Sequence, residues 1–388
     1  MTSAYDLAGA FDAAGLLAPD YGGLCLDGVL PAAAAAVGSQ DEHHEAARVR
    51  LGVPRASRVC VVLVDGLGHA MLSERRGHAP FLRGRLDDAR VLTAGFPSTT
   101  ATSMGLFGTG CAAGRTGLVG YSVRNPDTGG LANLVAWEGA GPAESWQREP
   151  SLFAQLAASG VEVTSVGPGR FAGSGLTEAA LRGARFVAAE PLADRVDATL
   201  HELTAPGLVY LYWGEVDKVG HHEGWQSRAW ADELTAADRE LARLARSVPR
   251  DTLILITADH GMVDVDRRAL VDVATTPALA AGVEVVAGEP RATHVHTRPG
   301  AGPEVVDRWR TTLGGAAVVA TRDEAIASGW FGPVAEHVRP MIGDLVVAAT
   351  GVAGIVDSRT QTPRSIALRG MHGSFTPGEM QVPLVVVA

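Results

Sequence analysis

Residues 59–65 read Val-Cys-Val-Val-Leu-Val-Asp, and the turn Gly66-Leu67-Gly68 follows at once. Four valines, no proline and no charge ahead of the terminal aspartate predict a strand buried on both faces, and the glycines predict a turn into a helix over residues 69–75. Asp65 therefore stands at the strand's carboxyl end, the edge along which open α/β sheets bind ligands. A carboxylate there has two readings, an N-cap for the next helix or a ligand. Recurrence of the pattern weighs against caps. Residues 208–213 predict a second buried strand, running through Gly214 and Glu215 to Asp217, and residues 253–257 a third, followed by Asp259 and His260. Three buried strands that each place an acid or an imidazole just past their ends describe a scaffold for a metal site on the sheet edge.

The alternation continues along the chain. Strands are expected over 90–94, 161–166 and 382–387, and helices over 101–107, 151–158, 177–182 and 226–246, the last carrying Trp230, Leu234, Leu241 and Leu244. Strand and helix in turn predict an α/β fold, a three-layer α/β/α sandwich with a mostly parallel central sheet. Residues 1–50 hold Pro19, Gly22, Gly23, an alanine run and a charged stretch; they are expected to form an N-terminal arm packed on the core, with His43 and His44 solvated. From about 265 to 363 the character changes to short β-like runs (283–286, 316–320, 344–349), a helix near 303–313 and many Gly and Pro, which predicts a small inserted α+β cap. The catalytic core is then expected from 51–264 and 364–388.

With 388 residues and 46% apolar side chains the chain has ample material for a core. A formal net charge of −10 excludes a nonspecific binder of nucleic acid polymers, which needs a basic stripe, but leaves phosphate substrates open because bound divalent cations supply local positive charge. Cys25, Cys60 and Cys111 form no CxxC pair, so no structural disulfide is expected and Cys60 reads as a small core residue. The first residues lack a basic leader, and the longest apolar run, near 29–37, is too short to span a bilayer. A soluble, cytoplasmic chain without a membrane partner is the expectation.

Residues 96–110 read FPSTTATSMGLFGTG. Pro97 sets an extended entry, and the hydroxyl cluster precedes a helix whose first N–H groups would stabilise an anion such as phosphate; the same hydroxyls also read as caps. The glycine-rich stretch 109–117 is no phosphate loop of the Walker type, because Thr109 replaces its first glycine and Arg115 its lysine. Residues 167–175 fail as a dinucleotide fingerprint for a related reason: the pattern fits only its first two glycines. Asp217 and His221, four apart, share one face if they lie on a helical turn. With Asp65, Asp259, His260 and His372 they make six oxygen and nitrogen donors without thiolate, suited to zinc or manganese and enough for two ions with open positions. Such a pair clamps the attacking and leaving oxygens of an in-line displacement at phosphorus. His222 is expected to point elsewhere, and His294 and His296, alternating as on a strand, to line one face of the cap.

The motifs VLVDGLG, FPSTT with Thr109-Gly110 nine residues on, VDKVGHH, TADHGM and MHGS resemble, in order and spacing, those of the alkaline phosphatase superfamily. The chain is most similar to its type I phosphodiesterase/nucleotide pyrophosphatase family. That resemblance implies one divalent metal, zinc or alternatively manganese, held by Asp65, Asp259 and His260 and touching the nucleophile, and a second held by Asp217, His221 and His372. It places the nucleophile on Thr100, with Thr99 the runner-up, and implies two displacements through a phosphothreonyl intermediate. Two departures stand out. Thr116 occupies the family's histidine position and Tyr121 its asparagine position, so Tyr121 reads either as a substrate-binding hydroxyl offered to phosphate or as a packed aromatic. The implied function is a two-metal phosphodiesterase or nucleotide pyrophosphatase-like hydrolase of a small phosphorylated metabolite. The alternatives are a phosphomonoesterase, phosphonate hydrolase or phosphomutase on the same core, for which Arg298, Arg322 and Arg339 would be candidate anion ligands, and a catalytically inactive metal-binding protein.

Overall fold

A computed structural model of the chain describes residues 5–388. Its central sheet has seven strands in the order Arg90–Thr93, Gln381–Val387, Thr252–Thr257, Arg58–Val64, Gly207–Trp213, Val163–Gly167 and Arg185–Ala188. All run parallel except Gln381–Val387, which is antiparallel to both neighbours. The fold is alkaline phosphatase-like. The three strands that carry the candidate ligands are adjacent, and Leu63 pairs with Tyr212 on one side and Thr257 on the other. That register sets Asp65, Gly214 and Asp259 level with one another at a single edge.

Burial explains why these segments are strands. All six residues of Thr252–Thr257 are buried, as are Val59 to Val64, so both faces are covered and an uncharged run rich in Val, Ile and Leu is the sequence that fits. The helix Arg228–Ser247 buries Trp230, Leu234, Leu241 and Leu244, as its periodicity predicts. Among the described residues no helix is long and apolar enough to cross a membrane. Cys25, Cys60 and Cys111 are free thiols.

The described part of the first 50 residues packs on the rest: helix Leu7–Ala13 sets Phe11 against Phe375, ring centroids 5.0 Å apart; residues 1–4 lie outside the described chain. One expectation is corrected there. His43 is exposed, but His44 is buried and its Nδ1 lies 2.8 Å from Ser39 Oγ. The reason is helical period: His44, Ala47 and Leu51 share the inner face of helix Glu42–Leu51, which the surrounding charges conceal in the sequence.

A second, four-stranded antiparallel sheet has the order Val283–Glu289, Ala292–Thr297, Leu345–Ala349 and Ala317–Thr321. His294 and His296 both lie buried on the Ala292–Thr297 strand, and burial holds their pKa values down to about 3 and about 4. The turn between the first two strands carries Arg291. Its fully buried guanidinium pairs with the fully buried Glu379 (Nε to Oε1 3.0 Å, Nη2 to Oε2 2.7 Å), and Glu379 also accepts from the Ser374 N–H at 3.1 Å. This ion pair ties the second sheet to the segment just after His372. Removing Arg291 leaves the buried Glu379 charge without its ion-pair partner, so Arg291→Met should lower the unfolding free energy by about 3–5 kcal/mol, read as a fall in the urea midpoint at unchanged m-value. The double replacement Arg291→Met with Glu379→Leu should recover much of that loss.

Candidate active site

Asp65 does not cap a helix. The helix His69–Glu74 begins after Gly68, and no side chain caps it. Instead Asp65 is buried, its Oδ2 accepts from the Tyr212 hydroxyl, and its Oδ1 has no partner. Asp259 Oδ1 accepts from the N–H groups of Gly66 and His260, both at 3.0 Å, and its Oδ2 is likewise unpartnered. Asp217 Oδ1 is the third such oxygen. Gly66, at φ 71°, permits this convergence, because a Cβ there would stand 2.9 Å from the Asp217 Cβ. Unpaired carboxylate oxygens away from water are costly unless a cation meets them.

The histidines complete the pattern. His221 Nδ1 lies 2.7 Å from the Gly370 carbonyl, His260 Nδ1 2.9 Å from that of Gly261, and His372 Nδ1 2.9 Å from that of Ser98. A carbonyl only accepts, so each Nδ1 carries the proton and each Nε2 offers its lone pair. Those lone pairs converge with the acids. His260 Nε2 is 3.3 Å from Asp259 Oδ2 and 3.5 Å from Asp65 Oδ1; His221 Nε2 is 3.3 Å from Asp217 Oδ2 and 3.2 Å from His372 Nε2. Two imidazole lone pairs face to face repel unless a shared positive charge lies between them. Burial, with Asp259 and Asp217 close by, pushes the Asp65 carboxyl well above its ordinary pKa; burial and the neighbouring His260 and His221 hold the His372 imidazole well below its own. Both shifts come from acids and imidazoles packed closely together in a buried place.

Donor atoms of Asp65, Asp217 and His260 form one group within 4.8 Å of one another, and those of Asp217, His221 and His372 a second. Asp217 thus belongs to both, while Asp259 approaches the first group through His260. The residues present fit two divalent cations.

Thr100 is the first residue of helix Thr100–Thr109, and its Oγ1 lies 3.3 Å from His260 Nε2. Ser98 Oγ donates to the Ser374 carbonyl at 2.7 Å, and Thr99 occupies the N-cap position without a capping bond. Of the three consecutive hydroxyls, Thr100's is the one in contact with the donor groups. Ser103 Oγ, one turn on, donates to the Asp259 carbonyl at 2.8 Å and ties this helix to the third ligand-bearing strand.

Thr100 also opens onto a cavity walled by Phe171, Leu176, Phe186, Tyr210 and Tyr212, with no lysine or arginine in its lining. Tyr210 and Tyr212 alternate on one face of their strand; period two is the signal that could have marked them, although Phe171 and Phe186 come from elsewhere in the chain. Tyr121 is 44% exposed, with its N–H donating to Glu289 Oε2 at 2.7 Å, so it is not a packed core aromatic. It neither lines the cavity nor joins the donor groups. Arg322 pairs with Asp344 at 2.7 Å, Arg339 with Asp323 at 2.5 Å, and Arg298 lines a separate groove with Arg124 and Glu284. None of the three arginines reaches the Thr100 cavity.

Residues 59–375 match the family model described as type I phosphodiesterase/nucleotide pyrophosphatase. The chain belongs to this family. Among curated proteins, human ectonucleotide pyrophosphatase/phosphodiesterase family member 7 is 40% identical over 67 residues, 16% of this chain and 15% of that protein, and the mouse counterpart is 39% identical over the same length. The matched part is therefore a small fraction of those relatives. Among solved structures, murine ectonucleotide pyrophosphatase/phosphodiesterase 5 superimposes with a TM-score of 0.68 at 17% identity, covering 84% of this chain and 87% of that one. Phosphonoacetate hydrolase from Sinorhizobium meliloti 1021, in complex with phosphonoformate, gives a TM-score of 0.67 at 19% identity, covering 86% and 90%. At such identity these two report the fold. Type I phosphodiesterases/nucleotide pyrophosphatases are metal-dependent hydrolases, and the two donor groups stand where this family member's strand ends converge.

Proposed function

We propose that this family member is a two-metal phosphodiesterase that uses Thr100 as its nucleophile on a small phosphate diester. One observation carries the reading: the Thr100 hydroxyl stands against a cluster of unpaired carboxylate oxygens and imidazole lone pairs, at the mouth of a cavity without cationic side chains. Asp65, Asp259 and His260 would hold one ion, Asp217, His221 and His372 the other, with Asp217 in reach of both. Zinc, or manganese, suits these donors. When bound, the ions supply positive charge that favours the threonine alkoxide and neutralises phosphate oxygens.

The chain's own residues do the rest. Thr100 Oγ1 forms the bond to phosphorus as the bond to the leaving oxygen breaks, and the departing alcohol takes up a proton equivalent to the one threonine gave. Water then cleaves the phosphothreonyl ester, which restores the hydroxyl and releases a monoester. The start of helix Thr100–Thr109 presents its first N–H groups and positive dipole end at this point, favourable to the anion throughout. An inactive threonine-to-alanine form of the murine protein, in complex with AMP, agrees with a threonine nucleophile.

The cavity argues for a diester. A monoester or phosphonate brings an additional negative charge that cationic side chains would have to meet, whereas the second substituent of a diester, aryl or nucleoside, suits walls of Phe171, Phe186 and Tyr212. Metal-replete protein should therefore hydrolyse bis-p-nitrophenyl phosphate at a kcat/KM at least about tenfold above that for p-nitrophenyl phosphate, and lose both activities in EDTA. The reverse preference would move the reading to a monoesterase or phosphomutase.

A further inference from the structure

Tyr212 touches both halves of the site. Its ring is a wall of the cavity and meets Phe171 edge to face, centroids 5.6 Å apart at 84°. Its hydroxyl reaches the other way and donates to Asp65 Oδ2. Both groups are held by backbone: Tyr212 sits opposite Leu63 in the parallel register, and the Asp65 N–H donates to the Trp213 carbonyl at 2.8 Å. Gly214 clears the space, since a Cβ there would stand 2.8 Å from the Tyr212 hydroxyl oxygen.

We infer that Tyr212 is a positioning residue for the Asp65 carboxylate: by engaging Oδ2 it turns Oδ1 towards His260 and Asp217, where a metal is received. The inference rests on the two-metal reading above. A carboxylate has two equivalent oxygens and a freely turning terminal bond, and the single donor on Oδ2 removes that freedom. Oδ1, left without a partner 3.5 Å from His260 Nε2, is then the oxygen presented to the ion. Partners of this kind behind a metal ligand are worth about 10–100-fold in affinity. The same side chain lines the space for the substrate's organic group, so metal affinity and substrate fit meet in one residue and are separable by substitution.

Tyr212→Phe removes one oxygen and keeps the cavity wall. In a competition titration against a chromophoric chelator, one of the two zinc ions should bind about 10–100-fold more weakly while the other keeps its affinity. Excess zinc should restore turnover of bis-p-nitrophenyl phosphate with KM near the wild-type value, and the cobalt-substituted protein should show an altered visible spectrum for one ion. Phe171→Leu, on the wall alone, should raise KM and leave both zinc affinities within about twofold of wild type. Wild-type zinc affinities and cobalt spectrum in Tyr212→Phe would overturn the inference and leave the metal reading intact. Weakened binding that excess zinc fails to rescue, together with a lowered unfolding midpoint of the metal-free chain, would make Tyr212 a packing residue and overturn it as well. A wild-type chain that binds neither zinc nor manganese would overturn the metal reading, and this inference with it.

Discussion

Thr100→Ala should lower the turnover of bis-p-nitrophenyl phosphate by roughly four orders of magnitude or more, the scale on which removal of a covalent nucleophile acts. Metal content and fold should be kept. Thr100 is the first helical residue, where alanine is tolerated, and the N-cap position belongs to Thr99. The neighbouring hydroxyls supply the control. Ser98 is committed to the Ser374 carbonyl, and Thr99 has no contact with the donor groups, so Thr99→Ala should stay within about tenfold of wild type. Steady-state kinetics with parallel metal analysis and circular dichroism would check all three statements. If Thr99→Ala were the dead variant and Thr100→Ala the active one, the nucleophile would shift by one residue.

Asp217→Asn should have the second largest effect, and its two consequences should differ in sign. Asp217 contributes an oxygen to both donor groups, so its loss weakens both ions at once, whereas His221→Ala touches one group. Diester turnover at limiting zinc should therefore fall by at least about 10³-fold, more than for His221→Ala. The metal-free chain should respond in the opposite way. Asp217 Oδ1 is a buried oxygen without a hydrogen-bond partner, close to the carboxylate of Asp65, and replacing the acid by a neutral amide relieves repulsion between the two acids by about 1–3 kcal/mol. The unfolding midpoint in EDTA should rise while zinc binding is lost. A metal-free variant less stable than wild type would mean that the acids are not held in mutual repulsion.

How much of this was legible follows from which forces write themselves into local sequence. A strand buried on both faces must be apolar throughout, so Arg58–Val64, Gly207–Trp213 and Thr252–Thr257 announce themselves, and with them the acids just past their ends. The short strand Arg185–Ala188 lies at the sheet edge, none of its four residues is buried, and the apolar run at its position, residues 186–189, is too short and alanine-rich to separate a strand from a helical piece. The hairpin Ser122–Arg124 with Leu131–Asn133 is too brief for periodicity to register. His44 was hidden because charged neighbours mask a three-residue inner face.

Within the site, the acids and imidazoles that the fold brings together could be collected from residue type and spacing, but not how they group. That Asp217 stands in both groups depends on the close approach that Gly66 permits, a tertiary fact. The Tyr212 contact with Asp65 crosses two strands 147 positions apart in the chain, and the cavity draws its aromatic walls from separate elements. Tyr121, prominent by its motif position, proves to be exposed and anchored through its backbone.

The most direct test of a metal-dependent threonine nucleophile is to mix metal-replete protein with bis-p-nitrophenyl phosphate, quench in acid within the first turnover, and map the mass adduct by peptide sequencing. The account predicts a p-nitrophenylphosphoryl group on Thr100, absent from EDTA-treated protein. An adduct on Ser98, Thr99 or any other residue, or full hydrolysis with no adduct at any quench time, would contradict it.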